Sequence, residues 1–179
     1  MLDIENCCLV VVDVQGKLAG LMDNKEALFK NICILIKAAG LLDIPIIWTR
    51  QCPESLGETI EEIATLLADI EPINKAAFSC CGQREFVEKL KALSHKQVVL
   101  CGIETHICIY QTALDLLEKD YHVEIVADAV SSRTAENKGI GLAKTKAAGA
   151  GISSVETFLF ELLRTAEHKQ FKQIARMIK

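Results

Sequence analysis

Val98-Val99-Leu100-Cys101-Gly102-Ile103-Glu104-Thr105-His106-Ile107-Cys108 is the most informative run of the chain. Its first half is apolar at consecutive positions, as expected for a strand covered on both faces. Gly102 marks a sharp turn, and the residues after Thr105 take up helical spacing. The segment therefore reads as buried strand, turn, and a helix whose first turn presents a thiol. A helix start carries unpaired N–H groups and the positive end of the dipole, which favour a thiolate and can hold an oxyanion.

Outward from this stretch, apolar runs of strand length alternate with longer helical patterns. Cys7–Val12 is a second continuous apolar run, and Ile44–Trp48, His122–Val126 and Ile152–Val155 are shorter ones. Helical periodicity covers Asn24–Ala39, Gly57–Leu67, Glu85–Leu93, Ile107–Glu118, Ala135–Ala148, Thr157–Leu163 and Lys169–Ile178. The span from Pro72 to Ser79 shows neither period and reads as irregular. Strands alternating with helices of this length imply right-handed crossovers and a parallel sheet with helices on both faces. The expected architecture is one α/β domain over residues 1–179.

Composition narrows the function classes. Half of the 179 residues are apolar, yet no run approaches the length of a membrane span. The net charge is −4 and the basic residues are scattered, which argues against nucleic-acid binding. The first residues lack the basic, apolar and small-residue regions of a secretory signal, so a cytoplasmic chain is expected. The eight cysteines contain no C-x-x-C pair and read as reduced thiols. Cys7, Cys8, Cys33 and Cys101 sit in apolar runs and are expected to be buried as small hydrophobes. Adjacent Cys80-Cys81 reads as an apolar patch.

Ligands of parallel α/β sheets bind beyond the carboxyl ends of the strands. Asp13 directly follows the first strand run, Gln51 and Cys52 follow the second, and Glu104–Cys108 lie beyond the strand Gln97–Cys101. A carboxylate at the end of an apolar run is costly unless paired. Asp13 is thus either a turn residue or an acid/base group. Lys75, in Ile73-Asn74-Lys75-Ala76-Ala77-Phe78-Ser79, is either a surface lysine with a buried stem or a buried cation. On the helix after the turn, Ile107, Tyr110, Ala113, Leu114 and Leu117 form the expected core stripe. At about 100° per residue, Cys108 projects from the side shared by Thr112 and Asp115. His106 and Cys108, two apart and without further partners, do not make a metal site.

Four motifs in order, Asp13-Val14-Gln15, Lys75–Ser79, Gly102–Cys108 and Asp128-Ala129-Val130-Ser131-Ser132-Arg133, resemble those of the isochorismatase-like cysteine hydrolases. The segments Thr49–Gly57, Gly102–Arg133 and Phe171–Lys179 are most similar to the isochorismatase domain-containing branch. The resemblance implies a Rossmann-like three-layer αβα sandwich around a six-stranded, mainly parallel sheet of order 3-2-1-4-5-6. It implies a Cys–Asp–Lys triad with Cys108 as nucleophile, Asp13 as proton shuttle and Lys75 as the cation that orients Asp13 and favours the thiolate. It also implies a cis Ile103–Glu104 peptide, with the N–H groups of Glu104 and Cys108 as oxyanion donors.

By the same resemblance Gln15, Gln51, Phe78 and Thr105, with Cys52, are expected to line a substrate pocket. Nicotinamidase relatives carry an Asp-x-His metal motif where this chain reads Trp48-Thr49-Arg50-Gln51-Cys52-Pro53, so no metal and no other cofactor is expected. The expected activity is hydrolysis of a small amide or ester through a thioester, by a homo-oligomer without nucleic-acid or membrane partners. Cleavage of isochorismate and a non-catalytic binding role on the same fold stay open alternatives.

Overall fold

The structure is a computed structural model and describes residues 1–179. Its elements in chain order begin with β1 (Cys7–Val12), α1 (Gly16–Ala19), α2 (Lys25–Leu41) and β2 (Ile46–Gln51). Next come α3 (Pro53–Leu56), α4 (Glu61–Ala64), β3 (Ile73–Lys75), α5 (Arg84–Leu93) and β4 (Gln97–Ile103). A π-helical turn over Thr105–Ile109 leads into α6 (Tyr110–Leu117), followed by β5 (His122–Ser131) and α7 (Ala135–Ala147). Then β6 (Gly151–Ser153), α8 (Val155–Leu163) and α9 (Phe171–Ile178) complete the chain.

All six strands pair in parallel, in the order β3-β2-β1-β4-β5-β6. This is the α/β sheet expected from the alternation of runs. Every residue of β1 is buried, because a central strand has a helical layer on each side. Its alternate residues feed two separate cores. Cys7, Leu9 and Val11 pack with α2, α8 and Ile174 of α9. Cys8, Val10 and Val12 pack with Phe86 and Leu90 of α5 and with Ala113 and Leu116 of α6.

The chain reverses direction across the sheet between β1 and β4. Strands β2 and β3 are laid down on one side of β1, and β4 to β6 on the other. The connections leaving β1 and β4 therefore part in opposite directions and open a crevice at their carboxyl ends. Val12 is in register with both Thr49 and Gly102, so the ends of β2, β1 and β4 stand side by side. Gly102 is irreplaceable in this arrangement. Its φ is +116°, and a Cβ there would lie 2.1 Å from the Val12 carbonyl oxygen. Gly141 of α7 plays a similar part against the π-helical turn, since a Cβ would meet the His106 backbone at 2.8 Å.

Three local readings are corrected. The span from Pro72 to Ser79 contains β3, an edge strand of three residues too short to show a period. The helix expected over Gly57–Leu67 is reduced to α4 and a 3-10 turn over Thr65–Leu67. The buried face of α6 is Ile109, Thr112, Ala113 and Leu116, while Ile107, Tyr110, Leu114 and Leu117 are only half-buried. The π turn inserts an extra residue and rotates the phase of everything after it. Cys33 is likewise half-buried, whereas Cys7, Cys8 and Cys101 are buried as expected; all eight cysteines are free thiols.

Candidate active site

Asp13 is the first residue beyond β1, and its φ of +53° turns the chain sharply out of the strand. That turn leaves its carboxylate in the crevice. One oxygen, Oδ2, accepts a hydrogen bond from Lys75 Nζ at 2.6 Å. The other, Oδ1, accepts one from the Thr49 hydroxyl at 2.8 Å. Asp13 is thereby held at both oxygens in a buried position, which removes the cost of an unpaired carboxylate.

Lys75 reaches this place because β3 alternates. Ile73 and Lys75 point inward and Asn74 outward, and Lys75 stands in register with Gln51. Its side chain is fully buried. Nζ also donates to Gln51 Oε1 at 2.7 Å and to the carbonyls of Ala77 and Phe78 at 3.2 and 3.1 Å. Burial works against the ammonium. The Asp13 carboxylate leads the opposing effects, with smaller ones from Cys80 and Cys108, and the lysine pKa ends above its ordinary value.

Cys108 lies within the π-helical turn. Its N-terminal bonds run from the Ile107 and Ile109 N–H groups to the Glu104 carbonyl at 3.1 and 3.2 Å. The thiol shares a cavity of about 90 Å³ with Asp13, Gln51, Glu104 and the apolar side chains of Leu18, Leu56, Phe78, Ile103 and Ile107. The resemblance implies a poised thiolate, and burial works against it. Burial pushes the Cys108 thiol up to about 12, the Asp13 charge adds to the rise, and the Lys75 ammonium only partly opposes it. The sulfur lies two residues before α6 begins. Burial therefore favours the neutral thiol at Cys108.

The Ile103–Glu104 peptide is cis. None of the chain's loop hydrogen bonds uses the Glu104 N–H. The Glu104 carboxylate accepts from both the N–H and the Nε of Arg133.

Of the other residues named from the sequence, Gln51 and Phe78 line the cavity. Gln15 and Thr105 do not. The Gln15 amide is fully buried and tied to the Gln51 backbone and the Gly57 carbonyl, where it splints the loop over the crevice. The Thr105 hydroxyl is buried without a partner. Cys52 lies on a neighbouring shallow depression with Pro53, Glu54 and Asn74. His106 turns away and shares a hydrogen bond with the Ser132 hydroxyl at 2.9 Å. No three His, Cys, Asp or Glu side chains are grouped to hold a metal.

Sequence reasoning missed Thr49, and it read Cys80 with Cys81 as an apolar patch without placing it against Thr49. Cys80 is fully buried behind Thr49, its N–H donating to the Thr112 hydroxyl at 2.9 Å. The available signal for Thr49 was its place as the first polar residue after Ile46-Ile47-Trp48. The largest cleft, about 590 Å³, lies at the opposite ends of the strands against Leu2, Leu42 and Arg164. None of the residues described above reaches it.

The isochorismatase domain family model matches residues 7–157. A secreted isochorismatase effector of Phytophthora sojae is 38% identical over 96% of this chain and 83% of its own. Isochorismatase domain-containing protein 2A of Mus musculus is 37% identical over 98% of this chain and 84% of its own. Among solved structures, one named MAR1 ribonuclease from Caenorhabditis elegans superposes with a TM-score of 0.92. It is 34% identical and covers 99% of this chain and 91% of its own. On its motifs, its sheet order and these matches, the chain belongs to the isochorismatase family of hydrolases.

Proposed function

We propose that the protein, as one domain over its whole length, is a metal-independent cysteine hydrolase of small amides or esters. The observation that carries this reading is the doubly held Asp13 carboxylate facing Cys108 in an apolar cavity. Cys108 attacks the carbonyl carbon as its proton passes to Asp13, so no free thiolate accumulates beforehand. The unbonded Glu104 N–H, with that of Cys108, receives the oxyanion. Asp13 then hands its proton to the departing nitrogen or oxygen, leaving a thioester. Water attacks the thioester with Asp13 as base, releasing the acid and restoring the thiol. Incubation with small amides and esters followed by mass spectrometry tests this: an acyl-sized adduct on Cys108 is expected, and an unmodified Cys108 under turnover would refute it.

Lys75 has two expected roles that one substitution separates from a bystander's. Lys75→Met removes the cation that opposes the rise of the thiol pKa, so alkylation of Cys108 by iodoacetamide should need a higher pH than in the native protein. The same change strands a buried carboxylate and should cost about 3 to 5 kcal/mol of stability. An unshifted alkylation profile with unchanged stability would remove Lys75 from both roles.

Cleavage of RNA, suggested by the name of the Caenorhabditis elegans protein, finds little support in this site. Phosphate recognition calls for free cations, and Lys75 is wholly occupied. No helix is long and apolar enough to cross a membrane. The free thiols suit a reducing compartment such as the cytoplasm; a disulfide in protein isolated under alkylating conditions would contradict that. Self-association fits the apolar rim of the cavity, where Phe78 is 53% exposed. A single-chain mass in sedimentation would exclude it.

A further inference from the structure

We infer that the cavity beside Cys108 accepts only short, uncharged acyl groups and turns away carboxylates. The inference deepens the hydrolase reading and rests on it.

Two features of the cavity carry the argument. The first is size. An engineered protein cavity of about 150 Å³ holds benzene, with six heavy atoms. The 90 Å³ here therefore takes about four, and anything longer must extend beyond the lining. The second is charge. The lining is five apolar side chains, two carboxylates, one amide and the thiol, with no cation among them. The nearest cations are already engaged. Lys75 is spent on Asp13, Gln51 and two carbonyls, and its side chain has no exposed surface. The Arg133 Nε is tied to Glu104 at 3.0 Å, and more than half of its side chain faces solvent outside the lining.

A substrate carboxylate entering this space would lose its water and meet Asp13 and Glu104 with no partner. Such a buried, unpaired charge is disfavoured strongly enough to separate otherwise similar substrates by about 100-fold or more. The class that fits is a simple aliphatic amide or ester with three to five carbons on the acyl side, and a dicarboxylate such as isochorismate falls outside it.

The test compares p-nitrophenyl esters of matched shape. In 3-methylbutanoate the acyl chain ends in an isopropyl group, and in hemimalonate in a carboxylate of nearly the same outline. Burst release of p-nitrophenolate and the mass added to Cys108 are read together. The neutral ester is expected to acylate Cys108 about 100-fold faster. Equal rates, or a faster hemimalonate, would overturn the charge assignment while leaving the hydrolase reading intact. A decanoate reacting as fast as a butanoate would overturn the size limit. If no ester acylates Cys108, the hydrolase reading falls and takes this inference with it. Glu104→Gln supplies an independent arm, because it removes one wall carboxylate and frees Arg133. The preference for the neutral ester should shrink by about 10-fold; an unchanged ratio would count against the exclusion mechanism.

Discussion

Cys108→Ala is expected to lower turnover of a small amide or ester by at least about 10³-fold, with no acyl adduct formed. The size of the effect follows from the absence of a substitute. Cys80, the thiol packed behind Thr49, is fully buried and does not line the cavity. Cys52 opens onto a different depression. Neither sulfur can take over the attack without the backbone moving. The fold should survive, because alanine removes one sulfur beside an existing cavity and leaves the Thr105–Ile109 turn and its bonds to Glu104 in place. Retained turnover in a variant with native circular dichroism would exclude covalent catalysis at this position.

The second large effect is a steep loss of stability in alkali. Burial holds the thiols of Cys7, Cys8 and Cys108 up at about 12 and that of Cys80 at about 11, from an ordinary 9.0. Cys101 is raised as well, again by burial. Each folded-state value lies above the unfolded one, so the unfolded chain loses these protons first. Above a pH of about 9 the unfolded state binds fewer protons, and stability falls with pH by about 1.4 kcal/mol per unit for each thiol. Five acting together approach 7 kcal/mol per unit, roughly the whole stability of an ordinary domain.

Lys75 acts in the same direction. Its raised pKa gives a stabilisation complete below the ordinary lysine value of about 10.4 and lost as pH climbs through the folded one. Urea midpoints measured from about pH 8 to 10.5 should therefore be level at first and then collapse within one to two units above about pH 9. A midpoint unchanged at about pH 10 would show that the buried thiols do not control alkaline stability.

Much of the fold was legible before any coordinates. Continuous apolar runs at Cys7–Val12 and Val98–Cys101 belong to central parallel strands, since only such strands are covered on both faces, and the second continues to Ile103 through the expected turn at Gly102. The alternation of runs led to a parallel α/β sheet, and placing Asp13 and Glu104 at strand ends led to the crevice. Other elements were hidden for physical reasons. β3 has only three residues, and its existence depends on pairing with β2 through Thr49–Gln51. The π turn arises from an extra residue between the Glu104 carbonyl and the Ile109 N–H, which no helical period announces. β5 runs on to Ser131 because it follows β4 past a register shift between Leu100 and Gly102.

The class of fold, the order of the strand and helix segments, and the placing of a carboxylate and a thiol beyond the ends of two central strands could all be read from the sequence. These are consequences of local periodicity, and periodicity is written in consecutive residues. Only the tertiary structure decided that Thr49 and Lys75 grip the two oxygens of Asp13. It alone buried Cys108 deeply enough to favour the neutral thiol and left the space beside it small and apolar. Those properties depend on desolvation and on pairing between residues as far apart as 13 and 75, which appear only when the strands are laid side by side.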